Sequence, residues 1–81
     1  MKNLKLSSDA QSLKLGLYKH TKTGNSYNVL GVGFNSETLE ECVIYQAQYG
    51  KKFIFIRPLK MFTETIEING VLQPRFQYIQ P

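Results

Sequence analysis

The chain has 81 residues, which fits one small domain and leaves little room for a deep cofactor cavity. Hydrophobic residues make up 42% and charged residues 20%, and no apolar run approaches the roughly 20 residues of a membrane helix, so the composition argues against a disordered chain and a membrane protein. The formal net charge of +4 permits an acidic partner, nucleic acid included, but is equally typical of a solubilising surface.

The first segment, residues 1–12 with the sequence MKNLKLSSDAQS, is polar and has no clear period, so we expect a loosely ordered leader. It lacks the apolar core and the cleavage site of a secretion signal. Cys42 is the only cysteine, and a single thiol forms neither an internal disulfide nor a multi-cysteine zinc site. These features together predict a cytoplasmic protein.

The first two predicted strands are separated by a turn. Apolar residues alternate from residue 13, which is strand spacing, and this strand is expected to end near residue 22. Residues 23–26, Thr-Gly-Asn-Ser, are typical of a turn, and residues 27–34 form the second predicted strand. Gly31 and Gly33 fall on one face of it, which predicts a bulge, a sharp bend or a close backbone approach.

The stretch after Phe34 is compatible with either a helix or a turn. Thr38 and Glu41 match a capping box, which favours a helix. Residues 42–49, CVIYQAQY, are rich in β-branched and aromatic side chains, which favour a strand. We therefore predict a polar loop over residues 35–40, with at most one helical turn, and a strand over residues 41–49.

The next predicted strand, residues 53–57, is almost continuously apolar, which is typical of a central strand covered on both faces. Pro58 cannot continue a central strand, and a short 3₁₀ turn is expected after Arg57.

The last part of the chain has the pattern of a hairpin. Residues 63–68 alternate between apolar and polar, and Asn69-Gly70 is the strongest hairpin signal because a type I′ turn needs positive φ at both central residues. The return strand runs to residue 79 and is interrupted by Pro74, which predicts an edge or a bulge.

About six short strands at regular spacing predict an all-β domain over residues 13–81. Two architectures satisfy the pattern: a small antiparallel SH3-like barrel and a strongly bent sheet. A barrel would also limit the open sheet edges that invite aggregation.

Several motifs occur in a fixed order: G-L-Y-K-H, N-S-E-T-L-E-E, R-P-L-K-M-F and P-R-F-Q-Y-I. This set resembles a small bacterial domain, domain-of-unknown-function family 1653, over roughly residues 15–79. The resemblance implies no established activity, substrate or cofactor. The chain departs from the family pattern at Asn35, where the family prefers histidine, and at Phe55, where it often has tryptophan.

Catalytic and metal-binding patterns are missing from the sequence. His20 is the only histidine, and Ser36 or Cys42 would have to serve as its nucleophile, yet no nucleophile-elbow motif is present. Glu40 and Glu41 are adjacent and point to opposite faces of a strand, which makes a poor acid–base pair. No ligand spacing predicts a metal site, and no glycine-rich loop predicts a bound cofactor.

A binding face is the favoured functional interpretation, because aromatic and basic side chains share faces of the predicted strands. The candidate residues are Tyr18, His20, Lys22, Ser36, Glu37, Tyr45, Tyr49 and Arg57. Flat rings with an arginine anchor are typical of protein recognition or self-association, and rings with phosphate-binding cations are typical of single-stranded nucleic-acid binding. Protein recognition is the leading hypothesis, nucleic-acid binding is the alternative, and a small hydrolase using His20 is the third. The plain alternative is that tyrosines in so small a domain simply fill space.

Overall fold

The computed structural model describes residues 3–81 and contains two short helices and seven strands over that range. In chain order these are α1 (Ser8–Ser12), β1 (Gly16–His20), β2 (Ser26–Phe34), β3 (Glu41–Ala47), β4 (Ile54–Pro58), α2 (Leu59–Phe62), β5 (Thr65–Ile68), β6 (Val71–Pro74) and β7 (Phe76–Gln80).

The strands form a five-stranded antiparallel sheet in the order β4-β3-β2-β1-β7 and a separate two-stranded hairpin, β5-β6. The all-β prediction is therefore confirmed. The sheet does not close, because β4 and β7 remain at its two edges in the described part of the chain, so the SH3-like barrel is not the architecture found. The sheet instead curls, and the ring of Phe76 in β7 lies 5.5 Å from that of Tyr45 in β3.

The last predicted strand divides in two. Pro74 ends β6, and Arg75 leaves the hairpin: its N–H donates to the carbonyl of Glu64, while its own carbonyl accepts from Thr21. The chain then continues as β7 along β1. A proline has no N–H for a ladder, so the hairpin ends where the sequence predicts an interruption.

The prediction that residues 53–57 form a central strand is wrong. β4 pairs only with β3 and is an edge strand. Its outward-facing Ile54 and Ile56 are 57% and 70% exposed, so the continuous apolar run does not mark burial on both faces. The turn after Arg57 is also one α-helical turn rather than 3₁₀, since the N–H of Thr63 donates to the carbonyl of Leu59, four residues earlier.

The hydrophobic core lies on the inner face of the curled sheet, beneath α1 and α2. Cross-strand pairing puts Tyr18 beside Tyr27, Val29 beside Tyr45, and Tyr45 beside Phe55, so these side chains share one face. Phe62 of α2 stacks on Phe76 with ring centroids 4.2 Å apart. The buried cluster is Ala10, Tyr18, Val29, Val43, Tyr45, Leu59, Phe62 and Phe76.

The segment expected to be a loose leader contains α1. Ser7 is its N-cap, and the Ser7 hydroxyl accepts from the N–H of Ala10 at 3.1 Å. The same residue donates to the carboxylate of Glu41, from its N–H at 2.5 Å and from its hydroxyl at 2.6 Å. Ala10 is buried in the core, so a long-range polar link and a small apolar contact hold the helix in place.

The predicted turns are confirmed. Residues 35–40 form a loop, in which the Asn35 side-chain oxygen accepts the N–H of Glu37 at 2.9 Å and the Asn35 carbonyl accepts the N–H of Leu39 at 2.7 Å. Asn69 and Gly70 have φ values of 52° and 79°, as a type I′ turn requires. Of the three alternatives predicted at the glycines of β2, a bulge occurs, since the pairing with β3 shifts register between Val29 and Gly31.

Candidate functional site

A hollow of about 160 Å³ opens on the inner face of the sheet, where the edge strand β4 approaches the β1–β7 pair. We call it the aromatic hollow and define it by its lining residues, which are His20, Thr23, Tyr27, Tyr45, Phe55, Arg57 and Phe76. All but Thr23 lie on strands, so the sheet register rather than a flexible loop fixes the positions of six lining side chains.

His20 forms one side of the aromatic hollow. It pairs with Phe76 across the β1–β7 ladder, and their rings meet edge to face with centroids 5.0 Å apart. The N–H of Thr23 donates to its Nδ1 at 3.3 Å. This bond makes Nδ1 the acceptor, so the neutral ring carries its proton on Nε2.

Arg57 supplies the fixed positive charge of the aromatic hollow. Its Nε donates to the hydroxyl of Tyr45 at 3.1 Å, and its guanidinium carbon lies 5.8 Å from the ring centroid of Phe76. Within residues 3–81 the ion pair found joins Arg75 to Glu64, and no carboxylate lies within ion-pair distance of Arg57. Its remaining N–H groups are therefore available to a ligand.

Positive charge surrounds His20. Burial lowers the pKa of His20 below its usual value, and the nearby Arg75, Arg57 and Lys22 lower it further. Each of these charged neighbours is a cation, so the imidazole is held neutral while the aromatic hollow keeps a positive potential. Such an arrangement favours a negatively charged ligand.

Tyr27 closes the rim of the aromatic hollow. Its hydroxyl and that of Tyr49 are 2.7 Å apart, and its ring meets those of Tyr45 and Phe76 edge to face at 5.4 and 5.6 Å. Burial, ahead of the hydrogen bond to Tyr49, raises the pKa of Tyr27 to about 12. The Tyr27 hydroxyl therefore stays protonated at neutral pH and acts as a hydrogen-bonding group.

The structure brings three of the predicted site residues together: His20, Tyr45 and Arg57 line the aromatic hollow. Tyr49 joins at the rim through Tyr27. Tyr18 lies on the same face but is buried in the core, where its hydroxyl donates to the carbonyl of Lys14 at 2.6 Å.

The other three predicted residues lie outside the aromatic hollow. Lys22 is exposed in the β1–β2 turn and contributes charge only. Ser36 and Glu37 belong to the β2–β3 loop. Ser36 lines a second cavity of about 300 Å³ on the outer face of the sheet, with Gly33, Cys42, Ile44 and Ile56 among its neighbours. Cys42 and Ser36 are thus separated from His20 by the sheet.

Four residues of the aromatic hollow were missed by the sequence analysis: Thr23, Tyr27, Phe55 and Phe76. Tyr27 follows the first turn directly, and pairing across that turn would have put it on the face of Tyr18. Phe55 lies two residues before Arg57 on β4, so both side chains point to the same face of the strand. No comparable local signal identifies Phe76, because its position depends on the chain leaving the hairpin at Arg75.

Two further properties concern the described part of the chain. Within residues 3–81, no group of three or more histidine, cysteine, aspartate or glutamate side chains gathers into a possible metal site. In the same range, neither helix has the length and apolar character needed to cross a membrane.

The fold and site define a class: a small all-β protein with a curled five-stranded antiparallel sheet and an aromatic, electropositive hollow. The family model described as "Protein of unknown function (DUF1653)" matches residues 16–78, a span that includes every residue of the aromatic hollow. The chain belongs to this family, as the motifs of the sequence predict.

A solved structure gives the same result. A crystal structure of a DUF1653 protein from Bordetella bronchiseptica is 33% identical to the chain and superposes with a TM-score of 0.79. The match covers 86% of this chain and 91% of that one. A comparison with curated proteins finds no match.

Proposed function

We propose that this chain is a non-catalytic binding module that captures an acidic side chain of a partner protein in the aromatic hollow. The observation that carries the proposal is the state of Arg57: its guanidinium is fixed by the Tyr45 hydroxyl and lies near the ring of Phe76, yet it has no carboxylate partner within residues 3–81. A guanidinium held in this way offers its free N–H groups to a carboxylate without further ordering.

The size of the aromatic hollow supports a side chain as ligand rather than a cofactor. Its volume of about 160 Å³ lies below the roughly 300–1,000 Å³ of typical small-molecule sites. Tyrosine and arginine are also the residue types that dominate binding energy at protein interfaces, especially where they line a pocket. An anchoring side chain of a partner would fit such a space.

The surroundings of His20 support binding over catalysis. A general base is normally oriented by an acidic group and lies within reach of a nucleophile. His20 has cations as its charged neighbours, and its Nδ1 is occupied by the N–H of Thr23. The candidate nucleophiles Ser36 and Cys42 line the cavity on the opposite face of the sheet.

Capture of partners from cell lysate by the immobilised protein, followed by mass spectrometry, tests this proposal. Arg57→Gln is expected to lose the partner, because it removes the charge that binds the acidic side chain. Lys60→Gln is the matched control, since it removes the same charge from an exposed position of α2. Partner capture that is unchanged by Arg57→Gln would reject the aromatic hollow as the site.

A second variant separates binding from folding. Tyr45→Ala would open a cavity in the core, because Tyr45 is buried. Tyr45→Phe instead removes only the hydroxyl that holds Arg57 and is expected to weaken partner capture with little change in the thermal midpoint.

Single-stranded nucleic acid is the second candidate ligand. The observation that favours it is the combination of Lys22, Arg57 and Arg75 with the partly exposed rings of Tyr49 and Phe55, because bases stack on rings while cations contact phosphates. This candidate predicts binding of an oligonucleotide that weakens steeply as salt is added. An oligonucleotide titration at low ionic strength that detects no binding would remove it.

We further propose that the module acts in the cytoplasm. The support is the free, buried thiol of Cys42, which suits a reducing compartment. Fractionation of cells expressing a tagged full-length chain tests this placement, and recovery in an exported fraction would contradict it.

A further inference from the structure

We propose that the partner docks as an added β-strand along the open edge of β4, and that its docking segment carries an acidic residue between two apolar residues. This inference rests on the proposed function and names the kind of partner that the aromatic hollow accepts. The open edge consists of the backbone groups of β4 that face away from β3.

The backbone of β4 is free to pair with another strand. The carbonyl of Phe53 accepts from the N–H of Ala47 at 3.0 Å, so Phe53 points its backbone groups toward the neighbouring strand β3. Because these groups alternate along an antiparallel strand, Ile54 and Ile56 point theirs outward. Within residues 3–81 the sheet places no strand on that side of β4.

Most of the open edge also lacks the usual protection. Edge strands are normally blunted by a lysine, a proline or an inward-pointing charge. Arg57 and Pro58 supply such features at the C-terminal end of β4, but residues 53–56, Phe-Ile-Phe-Ile, contain none of them, and all four are exposed. An edge that combines free backbone groups with exposed apolar side chains is a template for strand addition.

The two faces of β4 determine the order of residues in the docking segment. Phe55 and Arg57 line the aromatic hollow on the inner face, while Ile54 and Ile56 lie on the outer face. An added strand presents its side chains alternately to these two faces. The residue opposite Arg57 is therefore acidic, and its two neighbours, which meet Ile56 and Pro58 on the outer face, are apolar.

The charges that flank the open edge favour another protein over a second copy of this chain. Lys51 and Lys52 precede β4, and Arg57 lies near its end. An antiparallel β4–β4 pairing would bring the lysines of each copy beside Arg57 of the other, and like charges across a strand pair are destabilising. An acidic segment is complementary at the same positions.

The test uses a synthetic probe, a blocked peptide Gly-Ser-Val-Glu-Val-Ser-Gly, titrated into the ¹⁵N-labelled full chain. Binding is expected to shift the backbone amides of Ile54 and Ile56, which gain hydrogen-bond partners. The same peptide with glutamine in place of glutamate is expected to bind about tenfold more weakly, because a charge-assisted hydrogen bond is replaced by a weaker neutral one. Methylation of the valine amides is expected to abolish binding, since it removes the donors of the added strand.

Two protein variants complete the test. Arg57→Gln is expected to bind the glutamate peptide about tenfold more weakly, to the level of the glutamine peptide, and Lys60→Gln is expected to bind within about twofold of the original chain. Neither substitution touches the backbone groups of the open edge. Their effects therefore report on the acidic residue alone.

The outcomes separate this inference from the proposed function. Equal binding of the methylated peptide would overturn strand addition, although the aromatic hollow could still capture a side chain. Equal binding of the glutamine peptide would overturn the acidic requirement, and failure of every peptide would overturn the inference as a whole. The lysate experiment with Arg57→Gln decides the proposed function independently. Sedimentation that shows a dimer broken by Ile56→Lys, or an oligonucleotide that shifts the same amides, would identify a different occupant.

Discussion

At the scale of single residues, Arg57 and His20 have different roles in the aromatic hollow: Arg57 supplies a positive charge, and His20 supplies a neutral ring. The guanidinium of Arg57 is oriented by the Tyr45 hydroxyl, and it supplies the attraction for a negatively charged group. His20 is kept neutral by burial and by the cations around it. The imidazole therefore adds a hydrogen-bonding edge at neutral pH and costs stability when it is protonated.

The lowered pKa of His20 predicts that the folded chain loses stability in mild acid. The pKa of His20 is lowered in the folded chain from its ordinary value of 6.5. Between the folded and unfolded pKa values the unfolded chain binds more protons, so the free energy of unfolding rises with pH in that window. We expect it to fall as the pH drops through 6.5 and to level off below the folded pKa, measured by urea unfolding between pH 5 and 8.

His20→Gln is the control for this pH dependence. Glutamine does not titrate, so the variant is expected to show a nearly flat free energy of unfolding over the same range. An equally steep dependence in His20→Gln would assign the effect to another group.

At the scale of elements, the glycines of β2 and of the β5–β6 turn have different roles. Gly70 has a φ of 79°, and a Cβ there would meet no atom within 4 Å, so its requirement is conformational alone. Gly31 lies at the bulge of β2, outside the left-handed region, and a Cβ there would also meet nothing within 4 Å. The same substitution at these two positions therefore isolates the effect of backbone conformation.

Alanine is expected to act in opposite directions at the two glycines. Gly70→Ala lowers the free energy of unfolding by roughly 1–2 kcal/mol, the cost of a left-handed conformation for a residue with a Cβ. Gly31→Ala raises it by about 0.4–1 kcal/mol, because alanine reduces the conformational freedom of the unfolded chain. Urea unfolding of both variants measures the difference. A destabilised Gly31→Ala would show that the bulge needs a glycine conformation.

The elements also show which parts of the fold a sequence can predict. The richness of residues 27–34 in aromatic and aliphatic side chains and the Asn69-Gly70 turn are local signals, and both gave correct predictions. Whether β4 is an edge or a central strand depends on which strands pair with it, and strand order is set by parts of the chain that are distant in sequence. Exposed Ile54 and Ile56 give the same apolar run as a covered central strand, so the pattern alone could not distinguish an edge from a centre.

The same limit applies to the site. Tyr18, His20, Tyr45, Tyr49 and Arg57 were predicted to gather on closure of a barrel. The sheet curls without closing, and His20, Tyr45 and Arg57 are the members of that set that line the aromatic hollow. Phe76 was not predicted, since its contact with Tyr45 requires the chain to leave one hairpin and pair with β1. The face to which a side chain points can be read from one strand, whereas the curl that brings distant strands together is a property of the whole sheet.

At the scale of the whole molecule, the two faces of the curled sheet differ in what covers them. Both helices lie on the inner face and close the core, and the aromatic hollow marks the place where this cover stops. The outer face carries Ile54 and Ile56 without a second layer. The open edge of β4 joins the two faces, so one partner strand could contact both at once.

Because α1 packs on the inner face of the sheet, we expect the N-terminal segment to contribute to the stability of the fold. Ala10 belongs to the buried cluster, and Leu6 packs against it. Ser7, the N-cap of α1, donates hydrogen bonds to the carboxylate of Glu41. We expect deletion of residues 1–12 to lower the free energy of unfolding by on the order of 2–3 kcal/mol. An N-cap contributes about 1 kcal/mol, and the rest is the apolar area of Leu6 and Ala10 returned to water. Deletion of residues 1–5, which keeps Leu6 and the N-cap, is the matched control and is expected to cost less than about 1 kcal/mol, as surface changes usually do. Equal stability of the two shortened chains in urea unfolding would show that α1 does not contribute to the free energy of unfolding.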